Sequence, residues 1–212
     1  MSRYRAVVFD LWDTLVVWPK EDGQTFHGRM AEHLGVEHER FTDAWTALYH
    51  KRATGALEPS VRAVCEQLEI EPDRVDGLIA VRVDFTREAL VPRPGAVRVL
   101  DELRARGYRL GLISVCSEEV PRLWAETELA DRIDVPVFSC SVGLAKPDPR
   151  IYELAARRLG VEPAECLFVD DQPDFVRGAL QAGMDAVLLG GLDWDGPRID
   201  RLEDVLTLET LQ

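Results

Sequence analysis

Short apolar segments that alternate with helical patterns constrain the fold of this chain more than any other feature. The segments are rich in Val, Leu, Ile or Phe and alternate little between polar and apolar residues, as strands buried on both faces do. They lie at 5–10, 109–115, 135–139, 166–170 and 186–190. Because helical patterns separate them, we expect a parallel sheet with right-handed crossovers. The predicted fold class is α/β.

The helical patterns between these strands carry start and stop signals. Three of them begin at or near a proline and end at a glycine, which is typical of helix boundaries. They span 94–107, 148–160 and 173–183. The C-terminal stretch 198–208 is predicted to add a short strand and a last helical turn.

Residues 19–88 differ from the rest of the chain because they contain helical patterns and no convincing strand. We interpret them as an all-helical insert placed directly after the first strand. The junctions are predicted at Trp18-Pro19 and at 91–95. The predicted domains are therefore an α/β core, 1–18 with 89–212, and a helical insert, 19–88.

Composition excludes several classes of partner. The net charge is −13, from 25 basic and 38 acidic residues. This charge argues against nucleic acid or an anionic membrane as a partner, but not against a small anionic substrate. No apolar stretch approaches the ~20 residues that span a bilayer, and we expect no signal peptide before the first strand.

The cysteines and histidines show no metal-binding spacing. Four scattered cysteines without a CxxC pair favour a reduced, cytoplasmic protein. The four histidines are predicted to be surface residues. They are His27, His33, His38 and His50. We expect the protein to act as a monomer or a homodimer.

Polar residues stand where the predicted strands end, which is where open parallel sheets bind ligands. They are Asp10, Asp13, Thr14, Ser114, Lys146, Asp170 and Asp171. Carboxylates gathered this closely repel one another unless a cation neutralises them. Hard oxygen ligands of this kind suit Mg²⁺, so a magnesium site is predicted at this edge of the sheet.

Four ordered segments resemble the motifs of the haloacid dehalogenase-like (HAD) hydrolase superfamily. They are VVFDLWDTL, LGLISVCS, GLAKPDPRIY and CLFVDDQPDFVRGALQAGM. The resemblance covers essentially the whole chain. It implies a Rossmann-like parallel sheet and identifies the helical insert with the family's small cap over the active site.

The resemblance also implies roles for individual residues. Asp10 would be the nucleophile that forms an aspartyl-phosphate, and Lys146 would balance the charge at the site. Thr14 and Ser114 would bind the transferred phosphoryl group, with Val115 and Trp12 also in contact with the substrate. The Mg²⁺ ligands would be Asp10, the Trp12 backbone carbonyl, Asp170 and Asp171.

Three positions depart from the family pattern for phosphatases. Trp12 stands where the pattern has an aspartate that acts as general acid and base, an effect worth ~10²–10⁴-fold in rate. Val115 replaces an asparagine in the second motif, and Phe175 replaces an acid or amide near Lys146. Asp13 is interpreted as a turn residue rather than a displaced acid, because adjacent side chains of an extended chain point to opposite faces.

These departures leave three functions open. The first is a Mg²⁺-dependent phosphatase acting on a small phosphorylated metabolite. The second is a metal-independent haloacid dehalogenase, since that branch also carries an aromatic residue at the Trp12 position. The third is a catalytically weak binding protein. The acidic pair Asp170-Asp171 favours the phosphatase, because without a metal ion two carboxylates beside Asp10 would be costly.

Overall fold

The structure, a computed structural model, describes residues 3–19, 26–208 and 211 and contains a six-stranded sheet. The strands are β1 (Ala6–Phe9), β2 (Arg109–Ser114), β3 (Val135–Phe138), β4 (Cys166–Asp170), β5 (Asp185–Leu189) and β6 (Arg198–Ile199). Their order in the sheet is β3-β2-β1-β4-β5-β6, and every neighbouring pair is parallel. The predicted α/β class with a parallel sheet is confirmed.

The helices connect these strands and cover the sheet. They are α1 (Phe26–Leu34), α2 (His38–Ala47), α3 (Tyr49–Ala53), α4 (Leu57–Gln67), α5 (Val75–Ala89), α6 (Ala96–Ala105), α7 (Glu119–Leu123), α8 (Ser139–Val142), α9 (Pro149–Leu159) and α10 (Pro173–Gln181). A 3₁₀ helix, Leu202–Thr207, follows β6 and confirms the predicted strand and helical turn at the C-terminal end. No helix in the described ranges is long and apolar enough to cross a membrane.

The central strand β1 explains why its sequence does not alternate. All four of its residues are buried. Val7 and Phe9 belong to a hydrophobic cluster that includes α6, whereas Ala6 and Val8 belong to a second cluster that includes α9. Since successive side chains of a strand point to opposite faces, a strand covered on both faces needs apolar residues at every position.

The helices α1, α2, α4 and α5 supply most of a third hydrophobic cluster, against which Trp12 and Trp18 also pack. A helical pattern covers 39–55 of the predicted insert, but the helix is interrupted between α2 and α3 at Leu48, whose φ and ψ are −103° and 14°. Part of the predicted insert, 20–25, lies outside the described residues. The domain boundaries themselves stay a prediction.

The chain enters and leaves this helical segment at neighbouring points. Val16 forms isolated β-bridges with both Trp12 and Pro92. The Arg93 backbone N–H donates to the Leu15 carbonyl over 2.9 Å. The segment that leads into the helices and the segment that leads out of them are thereby held together beside the end of β1.

Candidate active site

The strand order brings the polar residues of the sequence motifs to one edge of the sheet. Ser114 is the last residue of β2, Asp10 directly follows β1, and Asp170 is the last residue of β4. Because β2, β1 and β4 are parallel neighbours, their carboxyl ends lie side by side. Lys146 reaches the same place from the loop between α8 and α9.

Lys146 joins two carboxylates in the interior. Its Nζ lies 2.5 Å from Asp10 Oδ1 and 2.6 Å from Asp170 Oδ2, and all three residues are buried. Burial lowers the pKa of Lys146, but the charges of Asp10 and Asp170 outweigh that effect and raise it overall. Lys146 is therefore a permanent cation at this site.

Burial also acts on the two carboxyl groups. It raises the pKa of Asp10, an effect that the charge of Lys146 only partly offsets. In the same way burial raises the pKa of Asp170 to about 7, again against the opposing effect of Lys146. Lys146 therefore offsets only part of the effect of burial on the pKa of these two carboxyl groups.

Asp171 adds a third carboxylate to the site. One oxygen from each of Asp10, Asp170 and Asp171 lies within 4.8 Å of the others. Burial, followed by the charge of Asp10, raises the pKa of Asp171 as well. Three carboxylates against one lysine leave an excess of negative charge, and their hard oxygen atoms suit a divalent cation such as Mg²⁺.

Two hydroxyl groups at this edge of the sheet lack well-formed hydrogen bonds to any described residue. Thr14 and Ser114 are fully buried, and neither Thr14 Oγ1 nor Ser114 Oγ makes a hydrogen bond of good geometry, although Thr14 lies close enough to Asp10, and Ser114 to Cys116, to lower the pKa of that neighbour. Buried polar atoms without a partner are rare in folded proteins and need an explanation. A bound ligand with several acceptor oxygens would satisfy both hydroxyls.

A cavity of about 380 Å³ opens between this edge and the helical segment. Of the residues given a site role from the sequence, Asp10, Trp12, Val115 and Asp171 line it, and Asp13 lines it as well. Thr14, Ser114, Lys146 and Asp170 do not, and they are buried. Five further aromatic residues line the cavity: Trp18, Phe26, Trp45, Tyr49 and Phe175.

Asp13 occupies a turn rather than extended chain. Its φ is 59°, in the left-handed region, and its Oδ1 accepts a hydrogen bond of 3.1 Å from the Trp18 backbone N–H. The interpretation as a turn residue agrees with this geometry. The reasoning from opposite faces was wrong, because the chain turns here and Asp13 lines the same cavity as Asp10.

Phe175 contacts the lysine where the family pattern has a polar residue. Lys146 Nζ lies 4.6 Å from the Phe175 ring centroid, within the range of a cation–π interaction. The Phe175 ring therefore lies near Lys146 at the position where the family pattern has an acid or amide.

Sequence reasoning missed the charged residues that the helical segment contributes. Arg82 on α5 forms a buried ion pair with Glu119 on α7, with 2.5 Å between Arg82 Nη2 and Glu119 Oε1. Arg52 on α3 also lines the cavity and is 4% exposed. One signal existed for Arg82, which falls on the buried face of α5 between Leu78 and Phe85.

His27 corrects the prediction that all four histidines are surface residues. It is partly buried and lines the cavity. Burial, followed by the charge of His38, lowers the pKa of His27 to about 4, so its imidazole is neutral at neutral pH. The helix α1 therefore presents a neutral ring to the cavity.

The chain is similar in sequence to curated proteins that are named phosphatases. Over 138 residues the chain is 37% identical to Phosphatase MT3486 of Mycobacterium tuberculosis, covering 64% of this chain and 62% of that protein. It is 30% identical to Hexitol phosphatase A of Escherichia coli, covering 96% and 91%. The chain spans only 62%, 32% and 50% of the length of three curated relatives it matches.

Solved structures share the fold over nearly the whole chain. The 2-haloacid dehalogenase of Pseudomonas syringae pv. Tomato superposes with a TM-score of 0.71 at 25% identity, covering 96% of this chain and 97% of that one. The two curated relatives are named phosphatases and the solved structure is a dehalogenase, and both classes are hydrolases. The family model for haloacid dehalogenase-like hydrolases matches residues 4–183, and the chain belongs to that family.

Proposed function

We propose that this protein is a Mg²⁺-dependent phosphatase that hydrolyses a small phosphorylated metabolite through an aspartyl-phosphate on Asp10. The observation that carries the proposal is the group of three carboxylates, Asp10, Asp170 and Asp171, which faces a single lysine. A divalent cation would balance that charge, and a bound phosphate ester would supply acceptors for the unpaired hydroxyls.

The cation would be held by Asp10, Asp170, Asp171 and the Trp12 backbone carbonyl. The ion would supply positive charge beside the phosphoryl oxygens, which phosphoryl transfer requires. The carboxylate oxygens of Asp10, Asp170 and Asp171 suit a cation because they lie close together. Lys146 is the basic residue that contacts Asp10 and Asp170.

The residues of the chain account for the two chemical steps. An Asp10 carboxylate oxygen attacks phosphorus, a new P–O bond forms, and the bond to the leaving oxygen breaks. Lys146, held against Asp10, stabilises negative charge at the attacking group. Thr14 and Ser114 donate hydrogen bonds to the phosphoryl oxygens. Water then cleaves the aspartyl-phosphate, which releases phosphate and restores the carboxylate.

The dehalogenase function is the second candidate, and Trp12 favours it. Attack on a carbon that carries a halide needs no acid for the leaving group, so Trp12 in place of an aspartate would be harmless there. Relatives of both kinds are known: a solved 2-haloacid dehalogenase shares the fold, and curated relatives include two named phosphatases and one named (S)-2-haloacid dehalogenase 4A. We prefer the phosphatase because the acidic pair Asp170-Asp171 beside Asp10 would be costly in an enzyme without a metal ion.

The two candidates differ in substrate and in metal dependence. We expect a panel of phosphate monoesters to be hydrolysed in millimolar Mg²⁺ and to be inert in EDTA, while 2-haloacids are not consumed. Release of halide from 2-haloacids at equal rates with and without Mg²⁺ would establish the dehalogenase instead.

Replacing Asp171 with Asn should weaken Mg²⁺ binding at least ~10-fold, because it removes one of three carboxylate ligands. Isothermal titration with Mg²⁺ measures this directly and needs no substrate. Asp174→Asn is the matched control, since Asp174 is an exposed acid three residues further on that pairs with Arg177. Equal Mg²⁺ affinity in the parent and Asp171→Asn would remove Asp171 from the metal site.

Replacing Trp12 with Asp should accelerate hydrolysis of alkyl phosphates by ~10-fold, part of the usual gain from general acid catalysis. Alkoxides leave slowly without a proton, whereas the more stable phenolates suffer less from the missing acid. The measurement is the dependence of rate on leaving-group pKa, which should be steep for the parent and shallower for Trp12→Asp. A shallow parental dependence that becomes steep in Asp13→Asn would instead make Asp13 the acid.

A further inference from the structure

Among the residues that the structure describes, Arg52 is the cation of the cavity wall without a counter-ion. Two arginines line the cavity, Arg52 and Arg82. Arg82 pairs with Glu119 in the interior. Within the described parts of the chain, no carboxylate lies within ion-pair distance of Arg52, and its buried Nη1 makes no hydrogen bond.

A buried guanidinium with an unused donor is costly unless a ligand pairs with it. Arg52 is 4% exposed, so solvent reaches little of it. Glu119 attracts it electrostatically, but the hydrogen bonds of Glu119 go to Arg82 and Ser117. Burial, followed by the charge of Arg82, lowers the pKa of Arg52 to about 10, so it stays charged at neutral pH.

Trp45 holds the guanidinium in place. The Arg52 Cζ lies 3.7 Å from the centroid of the Trp45 ring, and Trp45 is itself buried. Stacking covers a face of the guanidinium, whereas its N–H groups point outward in its own plane. A planar group with two acceptor oxygens, such as a carboxylate, matches that geometry.

Arg52 and Asp10 line the same cavity, and much of the remaining wall of that cavity is apolar. Trp12, Trp18, Phe26 and Tyr49 contribute aromatic surface to the same cavity. Aromatic walls favour a flat or apolar molecular body with few polar groups. A ligand that contacts both Arg52 and the Asp10 site would therefore carry a charged group for each and an apolar body.

We propose that Arg52 binds a carboxylate of the substrate, and that the substrate class is a phosphate monoester with an aromatic or other apolar body that carries this carboxylate. The proposal rests on the proposed function, since it places the phosphate at Asp10. It assigns recognition of the leaving group to a residue of α3.

Two esters of nearly equal size test the proposal. They are 4-carboxyphenyl phosphate and 4-carbamoylphenyl phosphate, which differ in the charge of one substituent. The parent should prefer the carboxylate in kcat/KM. Arg52→Met should lose ~10–100-fold on the carboxylate, as expected for a hydrogen-bonded charge pair, and less than ~3-fold on the amide.

Three variants distinguish an effect of the Arg52 charge on substrate preference from an effect on folding. Lys51→Met removes the adjacent, exposed cation and should keep the parental preference. Arg52→Lys keeps the charge without the fork and should recover part of the preference. Circular dichroism checks that each variant is folded. An equal loss on both esters in Arg52→Met, or no preference in the parent, would overturn the proposal.

A binding measurement distinguishes this proposal from the proposed function. Titration with 4-hydroxybenzoate and with 4-hydroxybenzamide, followed by tryptophan fluorescence, needs no turnover. We expect the parent to bind the carboxylate more tightly and Arg52→Met to bind both equally. If neither phosphate ester is hydrolysed but this difference is found, the phosphatase function fails and the carboxylate site stands. If the parent binds both ligands equally, the carboxylate site fails.

Discussion

Asp10→Asn should lower the hydrolysis of phosphate esters at least ~10⁴-fold, which is the scale of loss when a nucleophile is removed. The amide is nearly the same size as the carboxylate but cannot form the phosphorylated intermediate. The fold should persist, because the substitution takes one of three crowded carboxylates out of a site with an excess of negative charge.

The measurement that checks this is chemical trapping together with steady-state rates. Acid quenching of the parent with a ³²P-labelled ester should leave label on the peptide that contains Asp10, and the label should accumulate because Trp12 cannot act as the base for its breakdown. Asp10→Asn should show no label. Asp13→Asn, three residues further on, should keep its rate within ~10-fold if Asp13 is a turn residue. Label that survives in Asp10→Asn would place the nucleophile elsewhere.

Lys146→Met should destabilise the metal-free protein by about 3–5 kcal/mol, the usual cost of removing one partner from a buried ion pair. Lys146 lies between Asp10 and Asp170, and the side chain is 0% exposed. Methionine fills a similar volume, so the loss arises from two buried carboxylates without a counter-ion. Turnover should fall at least ~10²-fold with it, since Lys146 would no longer balance charge at the nucleophile.

The destabilisation should grow as the pH rises. Burial raises the pKa of Asp170 to about 7 already in the parent, and the loss of Lys146 removes the opposing effect. A carboxyl group whose pKa is higher in the folded than in the unfolded protein favours folding at low pH, below its unfolded pKa of about 3.9. That contribution is lost as the pH rises through the folded pKa, so Lys146→Met should be least stable in alkaline buffer.

Urea unfolding in EDTA at pH 5 and pH 8 measures this dependence. Lys51→Met is the control, because it removes an exposed lysine from α3. The control should follow the parent at both pH values. A Lys146→Met protein with parental stability at pH 8 would contradict the proposed role of this lysine in stabilising the two carboxylates.

The strands and the polar residues that follow them could be predicted because local sequence determines both. A strand covered on both faces, such as β1, needs an uninterrupted apolar run, and parallel strands place their carboxyl ends at one edge. Asp10, Asp170 and Asp171 stand at such ends, whereas Lys146 reaches the cluster from the loop between α8 and α9. The convergence of these side chains also depends on the order of the strands in the sheet, which local sequence patterns do not give.

The cavity wall could not be predicted, because it depends on contacts between segments far apart in sequence. Arg52 looks like any charged residue of a helix, and only packing shows that it is buried against Trp45. Arg82 finds Glu119 from 37 residues away. The break at Leu48 depends in the same way on how α2 and α3 pack, since the sequence there reads as one continuous helix.

The β-bridges that join Val16 to Trp12 and Pro92 have a consequence for how such a protein diversifies. Because the helices α1 to α5 leave and rejoin the sheet at adjacent points, changes in their length or composition transmit little displacement to β1. A lineage could therefore acquire a new preference for the group that departs from phosphorus while the strand that presents Asp10 stays fixed. Chemistry and selectivity would then vary almost independently within one polypeptide.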